Sequence, residues 1–237
     1  MLEATFWGLL GASSLIAGAL IAFYVRISSR NLGLIMAFGA GVLMSAVAYE
    51  LVAEALHEGP FAPEYVVAFA GGAIVFFLGS TALDRQASQQ SASSQQGAAI
   101  VLGAILDGIP ESVVLGVSLI GGGLVSVPML LAVFISNVPE SLGASADLID
   151  GGRSRRNVLR LWIAVAVASG IAAGFGYVAL NGAPEAWISG VQMFAGGAII
   201  AMLAESMVPE ASAKGGRAVG LLTALGFAAS AILSFAT

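Results

Sequence analysis

Cysteine is absent from this 237-residue chain, histidine occurs once, at His57, and charge is scarce. Without cysteine there is no disulfide and no thiolate metal site. A single imidazole excludes a histidine-cluster zinc site, and it removes the usual nucleophile–base pairs of hydrolases, so the chain does not read as an enzyme. Charged residues make up 10% of the chain, against about 25% in a soluble domain. The net charge of −5 gives nucleic acid no attraction. Period-two alternation is missing, which excludes a transmembrane β-barrel. No Lys or Arg precedes Arg26, so the N-terminal apolar run lacks the positive start of a cleaved signal and reads as a retained membrane helix.

What remains is apolar: 58% hydrophobic residues and a mean hydropathy of +0.95. Eight segments of bilayer length are readable, near 4–25, 32–56, 64–83, 96–120, 125–148, 157–180, 186–210 and 217–236. The expected fold is an all-α integral membrane protein, one transmembrane domain over residues 1–237. The Ser- and Gln-rich stretch 86–96 reads as a flexible cytoplasmic loop.

With eight crossings, every positive charge falls on one side. Arg26 and Arg30 follow segment 1, Arg85 follows segment 3, Arg153, Arg155, Arg156 and Arg160 follow segment 5, and Lys214 and Arg217 follow segment 7. Glu3, Glu58, Glu64 and Glu185 fall on the other. The positive-inside rule then puts both termini outside. The compact chain points to a bacterial inner membrane.

The sequence also repeats. Phe38-Gly39-Ala40-Gly41 with Glu54-Ala55 in segment 2 returns as Phe194-Ala195-Gly196-Gly197 with Glu210-Ala211 in segment 7, offset by 156 residues in both places. Segments 2 and 7 cross in opposite senses, so the pattern is an inverted 3+2+3 repeat, an architecture typical of secondary transporters. Gly39, Gly41, Gly71, Gly72, Gly196 and Gly197 suit close helix packing.

The two central segments share a device. One reads Asp107-Gly108-Ile109-Pro110-Glu111-Ser112, the other Ser136-Asn137-Val138-Pro139-Glu140-Ser141. Residues i and i+4 share a helix face, which stacks Asp107 with Glu111 and Ser136 with Glu140. A helical proline leaves the carbonyl four residues back without its donor, here Leu106 and Ile135. Facing one another, the two helices would gather three carboxylates, an amide, a hydroxyl and two carbonyls into an oxygen cage for a cation. Each carboxylate at that depth costs about 2.5–3.5 kcal/mol on insertion scales, a cost that marks function. Asp107, Glu111, Ser136, Asn137 and Glu140 are therefore the metal-site residues, and metal entry would compete with protons there. Ser112 and Ser141 read as packing. Glu50, Glu54, Glu205 and Glu210 sit in the last turns of segments 2 and 7 as pathway or proton-relay residues. Glu54 and Glu210 also read as helix-end markers, and Glu50 and Glu205 lie deeper. Asp147 and Asp150 beside Arg153 and Arg155 read as a solvated ion-pair loop, and His57 and Glu58, outside, as a solvated loop, with weak gathering of metal the alternative. Met44, Met193, Met202 and Met207 read as packing.

Together the eight spans, the inverted repeat and the two Pro-Glu motifs resemble the ZIP family of divalent metal transporters, over nearly the whole chain. The family's motif in the fourth helix usually reads His-Asn-x-Pro-Glu-Gly, and in the fifth a His or Gln followed by Glu or Asp before x-Pro-Glu. Here Asp107 and Ser136 replace the histidines, and Gly108 replaces the Asn. Segment 6 offers no acid for a second metal, so the reading is one principal site. The family's His-rich loop between segments 3 and 4 is replaced by Ser and Gln. The resemblance implies transport of a divalent metal ion as substrate, zinc first and Mn, Fe or Cd behind it, toward the cytoplasm by alternating access, with a homodimer and the bilayer as partners. An all-oxygen shell by itself suits harder ions such as Mn²⁺ or Mg²⁺. The alternative reading is a degenerate member that binds or senses metal without moving it.

Overall fold

The computed structural model describes residues 1–57, 63–88 and 96–236, the side chains of 86–88 and 96–102 excepted. Regular structure among the described residues is entirely helical. The α-helices are α1 (Leu2–Tyr24), α2 (Ser29–Ala46), α3 (Glu54–His57), α4 (Pro63–Ser88), α5 (Gln96–Val117), α6 (Val127–Asp150), α7 (Arg155–Leu180), α8 (Glu185–Met202), α9 (Val208–Gly215) and α10 (Val219–Ser234). π-Helical stretches, Val47–Ala53 and Leu203–Met207, join α2 to α3 and α8 to α9. Among the described residues, six stretches are long and apolar enough to cross a membrane: Leu2–Tyr24, Ser29–His57, Pro63–Arg85, Val127–Asp150, Arg155–Leu180 and Glu185–Ser234. Their outer faces are apolar; α4 turns Val66, Val67, Ile74, Val75, Phe77 and Leu78 outward. The chain is an all-α, multi-pass membrane protein.

Local chemistry sets the ends. Ser28, Ser126 and Ser154 each accept a hydrogen bond from a backbone N–H three residues on, at Asn31 (3.2 Å), Met129 (3.2 Å) and Asn157 (3.3 Å), and so start α2, α6 and α7. Gly152 and Gly182, with φ of 87° and 84°, turn the chain after α6 and α7. The expected loop 86–96 is helical at both of its described ends. Helix α4 continues to Ser88 and α5 starts at Gln96, while 89–95 lie outside the described residues, as does Glu58. Arg85, Gln86 and Ala87 are sound helix formers, so polarity there marks the exit from the apolar layer and not the end of the helix.

Packing fixes the direction of each rod. Gly33, at the start of α2, faces Gly215 and Lys214, while Val47 reaches Gly196, so α8 and α9 run antiparallel to α2. Tyr49 stacks edge-on with Phe235 at the far end of α10 (5.1 Å between centroids), so α10 runs parallel to α2. The chain therefore reverses at Gly216 (φ 65°), and the 50-residue stretch Glu185–Ser234 is two antiparallel rods. That length, about 75 Å as a straight helix, would overshoot the roughly 30 Å hydrocarbon core.

Glycines lock these rods together in a regular way. A Cβ at Gly41 would overlap the Thr223 carbonyl, and one at Gly226 the Phe38 carbonyl. In the same manner, a Cβ at Gly197 would overlap the Phe69 carbonyl, and one at Gly72 the Phe194 carbonyl. So α2 interlocks with α10 as α8 interlocks with α4. On the other side, α1 packs on α6 and α7, and α5 on α7. Gly18 lets α1 reach Ser141 and Val138, and Trp162, fully buried on α7, donates to Ser145 Oγ on α6 (2.8 Å).

The cations gather at one end. Arg155 stands over Phe23 and Tyr24 at the end of α1, Lys214 lies beside the start of α2, and the bond from Ser80 to Glu205 sets the Arg85 end of α4 beside the end of the α8 rod.

Candidate metal site

The helical backbone runs through both prolines, Pro110 in α5 and Pro139 in α6. Asp107, Ser136 and Glu140 line one cavity of about 180 Å³, which α2 and the α8 rod close with Met36, Met202, Ser206, Met207 and Glu210. Glu111 and Asn137 are buried but do not line it. Glu111 is 2% exposed, and its Oε2 has no hydrogen-bond partner. Glu140 stands within electrostatic reach of Asp107, Glu111 and Glu210.

Among the described residues, no three carboxylate or imidazole side chains converge as a preformed metal cluster. The expected gathering of all five oxygen donors is thus only partly drawn together. Asp107 and Glu140 supply carboxylates from two helices. The Ser136 hydroxyl donates to Val133 O (3.1 Å), which leaves its oxygen able to accept. The Ile135 carbonyl is covered by α2, where a Cβ at Gly39 would stand 3.3 Å away. Ser141 donates to the Asn137 carbonyl (2.8 Å) and packs under α1, the structural role its position implied.

The flanking glutamates separate. Glu50, half-buried in the first π-helical stretch, accepts from Ser126 Oγ (2.6 Å), the cap of α6. Glu205, exposed in the second, accepts from Ser80 Oγ (2.7 Å). Glu54 is exposed on α3. Glu210, read both as a pathway residue and as a helix-end marker, pairs with Lys214 and also lines the cavity.

A second cavity of about 250 Å³ shares Gly103, Asp107 and Ser206 with the first and extends past Ser80 to Asp84 and Glu205. The two together lead from Glu140 toward the cation-bearing end. At the opposite end the Glu50–Ser126 bond ties the first π-helical stretch to the start of α6.

Sequence reasoning missed Met36 and Ser206, and it assigned Met202 and Met207 to packing. All four reach the cavity because α8 and α2 cross the paired motif from the side. The only sequence signal was the fall of Met202 and Met207 around Glu205, in the helix that repeats segment 2. The cavity lining joins carboxylates, hydroxyls and thioethers. No protein-family model matches the chain, and no curated protein matches it.

Proposed function

We propose that the chain is a ZIP-like carrier that moves a divalent metal ion toward the cytoplasm by alternating access. The observation that carries this reading is the buried, unpartnered Glu111 oxygen next to a cavity holding Asp107, Ser136 and Glu140. A buried polar atom without a partner is costly, and a cation arriving through the cavity would satisfy it with a small rotation of α5 or of the side chain.

An inverted repeat of eight spans is supported by more than the sequence offset. The π-helical stretches begin at Val47 and Leu203, again 156 residues apart. The glycine interlocks pair in the same way: Phe38 and Gly41 map onto Phe194 and Gly197 at an offset of 156, and their partners Gly226 and Thr223 map onto Gly72 and Phe69 at an offset of 154. π-Bulges are frequent at functional sites, and here each carries a glutamate. Cavities that lead from Glu140 toward the cation-bearing end support an inward-facing state, with both termini outside by the positive-inside rule. A homodimer in the inner membrane belongs to the same reading.

In this reading Glu50 and Ser126 close the outer end. Ser126→Ala removes a hydrogen bond to a charged group, worth about 1.5–3 kcal/mol. Because the chain has no native cysteine, Leu119→Cys provides a clean reporter near that end. Its labelling by an impermeant maleimide should rise about tenfold or more when Ser126 becomes Ala. Unchanged labelling would remove the gate from the mechanism.

The thioethers of Met36, Met202 and Met207 adjust the choice of metal. Thioethers favour softer ions and carboxylates harder ones, which supports Zn²⁺ or Cd²⁺ ahead of Mg²⁺. Met202→Leu with Met207→Leu should lower Cd²⁺ uptake several-fold while leaving Mn²⁺ uptake nearly unchanged. An equal loss of both would mean the thioethers only pack.

Uptake of Zn²⁺, Cd²⁺, Mn²⁺, Fe²⁺ and Mg²⁺ into liposomes holding the purified protein tests the proposal. Binding with no flux of any ion would favour the second reading, a member that senses metal without carrying it.

A further inference from the structure

A cavity of about 740 Å³ opens between the end of α1, the start of α2 and the corner from α6 to α7, separate from the carboxylate site. Its wall is divided. Leu142, Ala146 and Ile149 make an apolar side, and Arg26, Asp150 and Arg155 make a polar one. The Arg155 guanidinium stands over two rings, 5.8 Å from the centroid of Phe23 and 5.6 Å from that of Tyr24. That stacking holds the side chain in place before any ligand arrives. Asp150 lines the same cavity, yet neither arginine forms an ion pair with a described residue. Within the expected ion-pair loop, Arg155 stands over the α1 rings and makes no ion pair with Asp150.

We propose that this cavity binds the headgroup of an anionic phospholipid, with the phosphodiester on Arg26 and Arg155. Guanidinium forks match phosphate oxygens and lose little entropy when already stacked. The cavity is at the end that collects the chain's cations, the end that faces the anionic leaflet under the positive-inside rule. Its volume falls in the range of small-molecule pockets, about 300–1,000 Å³, far more than a bare phosphate fills. Asp150 discriminates further: it repels a dianion but accepts hydrogen bonds from headgroup hydroxyls. A monoanionic phosphodiester bearing hydroxyls, as in phosphatidylglycerol, fits both. An acyl chain lies along Leu142, Ala146 and Ile149, which a free phosphate would leave wet.

The inference does not depend on metal transport, and its test is a binding experiment. Purified protein in detergent is titrated with phosphatidylglycerol, phosphatidylcholine and inorganic phosphate, and bound lipid is read by native mass spectrometry. Phosphatidylglycerol should bind more tightly than phosphatidylcholine. Its affinity should fall about fivefold in each of Arg26→Ala and Arg155→Ala, without loss of helical circular dichroism. Inorganic phosphate should not displace it. Asp150→Asn should improve inorganic phosphate binding and leave the lipid's place unchanged. Equal affinity for both lipids, or arginine variants that bind as the parent does, would overturn the proposal. Displacement by inorganic phosphate would overturn it in favour of a small-anion site.

Discussion

Glu111→Ala and Glu140→Ala are each expected to abolish metal uptake in liposomes while the protein still folds. Even residues that only orient a metal's ligands typically cost about 10–100-fold in affinity when removed, so loss of a ligand should cost at least as much. The two variants reach this result by different routes. Glu140 lines the cavity with Asp107, Ser136 and Glu210, and its loss would remove one of the three carboxylates placed to meet an incoming ion in the proposed mechanism. Glu111 is buried with one oxygen unpartnered, and its loss removes the group that a bound ion would satisfy. The Ala at 111 also relieves a buried polar atom, so Glu111→Ala should melt no lower than the parent in the absence of metal. Metal-induced stabilisation, which follows the ratio of ligand concentration to Kd, should vanish in both. If Glu111→Ala carries metal at the parent's rate, Glu111 is structural and the site is confined to the cavity wall.

Gly41→Ala and Gly197→Ala should each lower the melting temperature sharply, with a loss of about 1–3 kcal/mol or more from overpacking. At both positions the added Cβ would overlap a backbone carbonyl, Thr223 or Phe69. Backbone cannot rotate away as a side-chain tip can, so the helices must separate. Helix association in a bilayer rests on such close contact, because lipid is as apolar as the helices themselves. Gly190→Ala is the control: nothing lies within 4 Å of its Cβ, and an Ala in a helix is favoured over Gly by about 1 kcal/mol. Thermal unfolding followed by circular dichroism should place Gly190→Ala at or above the parent and the other two well below it. Should all three melt together, the interlocks do not hold the bundle.

The paired motif shows what a single sequence can carry. Periodicity puts Asp107 over Glu111, and Ser136 over Glu140, because a helix repeats every 3.6 residues whatever surrounds it. It does not say how far apart the two helices stand. In the structure α5 and α6 bring Asp107 and Glu140 to one cavity while Glu111 stays behind its wall. The methionines make a related point: Met202 and Met207 pack in the buried core, as expected, and also line the cavity. Met202 and Met207 look like packing in any apolar helix, and only the crossing of the α8 rod over the motif turns them toward the carboxylates.

The sequence by itself determined the membrane class, the helical segments to within a few residues, the gathering of the cations at one end and the 156-residue correspondence between segments 2 and 7. These follow from composition, local periodicity and charge bookkeeping, which act along the chain. The tertiary structure decided which glycines interlock, which glutamates have serine partners, which donors share a cavity, and where two arginines stand without an ion pair. Those are contacts between residues far apart in sequence, set by how rods of fixed shape fit against one another, and no local pattern encodes them.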